Sequence, residues 1–146
     1  MQISSSAFAN DGSIPDTYTC SGFGINPPLQ FSGIPTDTQS LVLIMDDPDA
    51  TNGTFTHWVV YNMSPKTVSI PQNSKPPGIM AENSAGTKAY IGPCPPSGEH
   101  RYFFRLYALN TILSPDSILD KKYLLSSLNG HVLDEAQLTG RFKKSN

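Results

Sequence analysis

Proline and glycine interrupt this chain so often that few segments are long enough to be anything but short strands. The sequence holds 13 prolines and 11 glycines in 146 residues. The first forty residues are punctuated by Asp11-Gly12, Ile14-Pro15, Pro27-Pro28 and Ile34-Pro35. Pro65, Pro71, Pro76 and Pro77 break up residues 64–90. Proline fixes φ and removes a donor, and glycine opens left-handed backbone, so this spacing predicts many turns between brief extended runs. The length suits one domain with a real hydrophobic core, and neither a repeat nor a linker is visible. Residues 1–146 are therefore expected to form a single domain.

The segments that escape interruption read as strands. Leu41–Met45 is continuously apolar, which predicts a strand covered on both faces. "HWVVYNM" (57–63) predicts a second strand, and Arg101–Leu109, rich in aromatics, a third. Ala136, Leu138, Gly140 and Phe142 alternate with Gln137, Thr139 and Arg141, the period of a half-exposed final strand. Ser114-Pro115-Asp116 reads as a helix start, with a capping residue followed by proline at the first helical position. Ile118, Leu124, Leu125 and Leu128 follow at helical spacing, and Asn129-Gly130 is the stop. Several strands without regular β-α alternation predict a mainly β fold, a β-sandwich with one or two short helices.

Composition narrows the function. Charged residues make up 15%, the net charge is -2, and no Lys/Arg block occurs, so no nucleic-acid partner is expected. Apolar runs fall far short of the ~20 residues a membrane-spanning helix needs. Met1–Asn10 has neither a basic n-region nor an apolar h-region, and a cytoplasmic location is expected. Cys20 and Cys94 are not spaced as metal ligands. Two reduced thiols are the default expectation, and a disulfide the minority one.

Strand parity points to a site, because side chains two apart share a face. Leu41, Leu43, Met45 and Asp47 share one, as do His57, Val59, Tyr61 and Met63. His100, Tyr102, Phe104, Leu106 and Ala108 share another. Each face is apolar with a titratable group at one end. Antiparallel pairing of the first two strands sets Asp47 beside His57, and His100 and Tyr102 join them if their strand enters from the same side. Imidazoles and a phenol supply N–H and O–H donors that suit a compact anion such as phosphate. Asp47 and Asp49 are placed to orient a histidine or to accept from an ammonium. No His-x-His or His-Glu-x-x-His occurs, and no Gly-x-Ser-x-Gly, so neither a metal nor a cofactor nor a serine hydrolase is expected. His57 or His100 alone would be read as a structural histidine. His131, beside Gly130, reads as a surface residue and Trp58 as core.

"DDPDA" (46–50), "HWVVYNM" (57–63) and "GPCPPSGEHRY" (92–102) together resemble the signatures of the phosphatidylethanolamine-binding protein family, also called the Raf kinase inhibitor protein family. "IPDTYTCSGFGINPPLQFSGIP" and "NGHVLDEAQLTG" resemble its short bacterial and archaeal branch. The resemblance covers roughly the whole chain. It implies a Greek-key antiparallel β-sandwich with a small anion pocket. It also implies pocket positions for Asp47, Asp49, His57, His100 and Tyr102, with Gly92, Pro95 and Pro96 on a wall loop. Thr51 stands where the family usually has proline. The expected function is a binding protein for a phosphate-bearing group: phosphoethanolamine, a phospholipid headgroup or a phosphorylated side chain. One alternative is a kinase- or protease-modulating interaction module. A weaker one is a phosphoester-processing enzyme, for which Asp47–His57 would supply the base.

Overall fold

The structure is a computed structural model that describes residues 1–145. It is mainly β. Nine strands run in chain order: β1 (Gln2–Ser4), β2 (Gly12–Ser13), β3 (Leu29–Ser32), β4 (Ser40–Asp47), β5 (Phe55–Met63), β6 (Ser69–Ile70), β7 (Ile79–Met80), β8 (Glu99–Leu109) and β9 (Val132–Lys143). One α-helix, α1 (Lys121–Leu128), precedes β9. The strands form a three-stranded sheet, β1-β3-β6, and a six-stranded sheet, β2-β9-β8-β4-β5-β7. The pairing is antiparallel except at β2 and β9, where Gly12 and Ser13 run parallel to Gly140 and Arg141. That parallel edge departs from the all-antiparallel expectation.

Strand β4 is central, and every one of its residues is buried. Its odd-numbered face, with Leu41, Leu43 and Met45, meets Ile3, Leu29, Phe31 and Ile70 of the small sheet. Its even-numbered face, with Val42 and Ile44, is covered by Leu113, Ile118, Leu124 and Leu128 from α1 and the segment before it. Two apolar covers require two apolar faces, which is why the sequence runs without alternation there. Strands β8 and β9 have one face open, and they alternate: β8 buries His100, Tyr102, Phe104 and Leu106 and leaves the residues between them partly or fully exposed.

Two sequence expectations need correction here. The helix does not begin at Ser114. Ser114-Pro115-Asp116 opens only a 3-10 turn (Pro115–Ser117), and the Ser114 side chain makes no capping bond. Asp120 caps the true helix, accepting from the backbone N–H groups of Lys122 and Tyr123. Leu124 and Leu128, four apart, face the sheet, while Leu125 is left 40% exposed. The cysteines are not free thiols: Cys20 and Cys94 form a disulfide, with Cα atoms 5.4 Å apart. This overturns the reduced-thiol expectation, which had followed from the cytoplasmic one. Among the described residues, no helix is long and apolar enough to cross a membrane.

Gly140 shows how the second core layer closes. It lies on the buried face of β9 opposite Tyr102. A Cβ there would come within 2.5 Å of Ile14 Cγ1 and 2.9 Å of Phe8 Cε2. The missing side chain is what lets the N-terminal segment lie down on the sheet. Gly140→Ala is expected to lower the unfolding free energy by about 1–3 kcal/mol through overpacking, measured by urea denaturation with an unchanged m-value.

Candidate functional site

The site forms where the C-terminal end of β4, the N-terminal end of β5 and the N-terminal end of β8 meet. Antiparallel pairing of β4 with both neighbours brings these three ends to one edge of the core. A pocket of about 220 Å³ opens there, lined by Asp47, His57, His100 and Tyr102 at its polar side. Ala50, Thr51, Phe55, Ile91, Gly92, Cys94, Pro95 and Pro96 complete the wall.

His57 reaches this pocket by a route that parity did not reveal. Along β4, Met45 and Asp46 are adjacent, but their partners on β5 are Trp58 and Thr56. One extra residue on β5, His57, is therefore bulged out of the ladder. The bulge puts His57 on the pocket side together with Trp58, which lies in the core beneath. Val59 and Tyr61, expected on the face of His57, pack instead on the helix side of the sheet. A second irregularity at Tyr61–Asn62, opposite Val42, returns Met63 to the main core.

Each histidine is fixed through one ring nitrogen. His57 Nδ1 lies 2.7 Å from the carbonyl oxygen of Ile91. A carbonyl only accepts, so Nδ1 carries the proton and Nε2 is left without one in the neutral ring. The Ile91 N–H donates back to the His57 carbonyl at 3.1 Å, so the strand mouth and the wall loop are bonded both ways. His100 Nδ1 donates to Asp47 Oδ2 at 2.7 Å, and both residues are buried. Asp47 Oδ1 accepts the N–H of Asp49 at 2.8 Å, which makes Asp47-Pro48-Asp49 a side-chain-stabilised turn.

Tyr102 lies at the bottom. Its hydroxyl is buried and, among the described residues, has no hydrogen-bond partner. Burial first, then the charge of the Asp47 carboxylate and its weak hydrogen-bonding approach, push the pKa upward, so the group remains a neutral O–H whose nearest protein acceptor, Asp47, is not in bonding geometry. A buried hydroxyl without a partner costs free energy unless something else satisfies it. Its ring meets the His57 ring edge-on at 5.3 Å.

The structure brings Asp47, His57, Gly92, Pro95, Pro96, His100 and Tyr102 to one pocket. It places Asp49 elsewhere. Asp49 lies outside the pocket lining and takes a forked pair of bonds from Arg101, Nε at 2.9 Å and Nη2 at 2.8 Å, together with the Arg101 backbone N–H. The Arg101 guanidinium holds its carboxyl down at about 2. Asp49 therefore closes the turn onto β8. Ala50, Phe55, Ile91 and Cys94 are pocket residues that the sequence did not single out. Ala50 lies in the "DDPDA" motif and Cys94 in "GPCPP", whereas nothing in the sequence marked Phe55 or Ile91. Among the described residues, no group of three His, Cys, Asp or Glu side chains is arranged to hold a metal ion.

The wall is close-fitted to the N-terminal segment. A Cβ on Gly92 would approach the Tyr18 carbonyl oxygen at 2.7 Å and Thr19 Cα at 3.0 Å. The Tyr90 hydroxyl donates to the same Tyr18 carbonyl at 2.7 Å.

Burial pushes the His57 pKa below its ordinary 6.5, against the opposing pull of the Ile91 carbonyl and the Asp47 charge. The neutral ring is the folded form, so its contribution is full above 6.5 and is lost as pH falls through the lowered value, because the unfolded chain takes the proton first. In a ligand-free NMR titration, His57 is expected to titrate below 6.5. A midpoint at or above 6.5 contradicts this electrostatic picture.

Comparison with known proteins gives a consistent result. A family model described as phosphatidylethanolamine-binding protein matches residues 4–143. The chain is 44% identical to a UPF0098 protein of Methanothermobacter thermautotrophicus and 40% identical to one of Chlamydia trachomatis, each alignment covering 99% of both chains. The crystal structure of a putative phosphatidylethanolamine-binding protein homolog from Chlamydia trachomatis has a TM-score of 0.95 at 40% identity, covering 99% of this chain and 97% of that one. The E. coli protein YbcL, described as a new member of the mammalian family, has a TM-score of 0.89 at 25% identity, covering 99% of this chain and 98% of its own. In sequence and in fold, this chain belongs to the phosphatidylethanolamine-binding protein family.

Proposed function

We propose that the chain is a binding protein whose pocket takes a compact phosphate-bearing group. The observation that carries this reading is that three side chains lining one pocket keep a polar atom without a well-formed hydrogen bond among the described residues: Nε2 of His57, Nε2 of His100 and the hydroxyl of Tyr102. The two Nδ1 atoms are already committed to Ile91 and Asp47. A tetrahedral oxyanion offers acceptors in several directions and suits such a set. The pocket's size fits a headgroup or monoester better than a folded segment, and its apolar rim, with Phe55, Pro95 and Pro96, suits the carbon chain next to a phosphate.

The same geometry makes binding proton-coupled. Each Nε2 donates to an anion only when its ring is protonated, and an adjacent negative charge stabilises imidazolium. Binding therefore takes up protons and tightens as pH falls from about 8 to about 6. Catalysis has less support. The pocket holds an Asp–His pair, but both histidine Nδ1 atoms are bonded to Ile91 and Asp47 rather than to the Thr51 hydroxyl, and Cys94 is in a disulfide.

Calorimetry with sulfate tests this, because the charge of sulfate is constant over that range. The wild type is expected to bind about tenfold more tightly at pH 6 than at pH 8. His100→Ala is expected to lose binding while remaining folded, and Asp49→Asn, outside the pocket, to keep wild-type affinity. Equal affinity in the wild type and His100→Ala overturns the assignment. If phosphoethanolamine binds and sulfate does not, the ammonium rather than the phosphate is the recognised group.

A further inference from the structure

The wall of the pocket is held from outside by sulfur. Residues 92–98 connect Ile91, bonded both ways to His57, with the start of β8. Pro93, Pro95 and Pro96 have no N–H to give. Among the described residues, two bonds tie this segment to the rest of the chain: the N–H of Cys20 donating to the Pro93 carbonyl at 3.1 Å, and the Cys20–Cys94 disulfide. Packing of the buried Pro93 and Pro95 adds to these. Cys94 itself lines the pocket. Both cysteine residues are solvent-exposed, and neither belongs to the apolar core clusters.

We propose that this disulfide is a thiol-exchange site that governs the pocket. A dithiol, small or carried by a redox protein, reduces it, and the freed wall lowers the affinity of the pocket for its anion. The second clause rests on the anion-pocket reading, and the first does not. The chemistry is a two-electron exchange. A thiolate of the reductant attacks one sulfur of the bridge and expels the other as thiolate, which takes a proton. The second thiol of the reductant then displaces the mixed disulfide. The reductant leaves as its own disulfide, and Cys20 and Cys94 remain as two thiols. Exposed disulfides are the ones that exchange readily, whereas bridges buried in a core resist it. Release of the wall leaves His57 and His100 in place, because Ile91 and Asp47 hold them independently of the sulfur. What is lost is enclosure: the Cys94–Pro96 side of the pocket becomes mobile, and a ligand has to order it on binding.

The test uses the intact chain under native conditions. Dithiothreitol is added without denaturant, and alkylation with mass measurement counts the thiols. Amide exchange is followed by NMR at Cys20 and Ile91, which bond the wall, and at Ile44 and Phe104 in the core. Inorganic phosphate is titrated into oxidised and reduced protein. The Cys20→Ser, Cys94→Ser double variant repeats both measurements with no reductant present. The expected result is two thiols gained natively, exchange at Cys20 faster by at least about tenfold with the core amides unchanged, and phosphate binding weaker by about fivefold or more. Reduction that needs denaturant overturns the proposal. So does unchanged exchange at Cys20, or equal affinity in the two states. Loss of core protection together with the wall overturns it as well, because the bridge is then a staple of the whole fold. Absence of phosphate binding in the oxidised protein defeats the anion pocket, and with it the claim about affinity. The exchange data, collected without ligand, separate that failure from a failure of the switch.

Discussion

Asp47 and His100 meet at 2.7 Å where β4 ends and β8 begins, and the geometry of the pocket is referred to that contact. The carboxylate uses both oxygens, one for the histidine and one for the N–H of Asp49. The end of one strand, the turn that follows it and the start of the next strand are thus tied at one point. Both residues are buried, so little of either side chain is open to water. A buried polar pair of this kind contributes little net stability, since desolvation offsets most of the attraction. Its effect is on geometry. It fixes the His100 ring with Nε2 free, as the Ile91 carbonyl does for His57.

The apolar architecture was legible because it follows from period and burial. The unbroken apolar run at β4 required two covers, and the structure supplies the small sheet on one side and the helix on the other. The alternation in β8 and β9 reported one open face. Ends of strands could be matched as well, since antiparallel neighbours bring carboxyl and amino ends together. What could not be read was any feature set by one extra residue or one distant contact. The bulge at His57 inverts the parity of half a strand, and nothing in "HWVVYNM" marks it. Ser114-Pro115 carries the local chemistry of a helix start, but Asp120 has the backbone geometry to accept from two N–H groups. Arg101 reaches Asp49 across the loop and removes it from the pocket, a pairing between residues fifty-two apart.

The cysteines illustrate the same limit. Their spacing of 74 residues said nothing about proximity, and the default for a chain without a visible leader was the free thiol. The fold decides otherwise, because the loop after Tyr18 packs against Gly92 so closely that no side chain fits there. That approach brings Cys20 beside Cys94. A glycine that admits a neighbouring backbone and a disulfide that locks it belong to one device, the rigid outer wall of the pocket.

Family membership sets the frame, while the chemistry of the pocket rests on its own atoms: two imidazoles held in one tautomer and a buried phenol whose O–H makes no well-formed hydrogen bond among the described residues. On the proposed function, these three groups complete their hydrogen bonds on one phosphate. A crystal structure of the protein grown with phosphoethanolamine tests it directly. The phosphorus atom is expected inside the pocket, with phosphate oxygens within about 3 Å of Nε2 of both histidines and of the Tyr102 hydroxyl. Ligand density that avoids these atoms, or an ammonium rather than a phosphate lying against them, would contradict it.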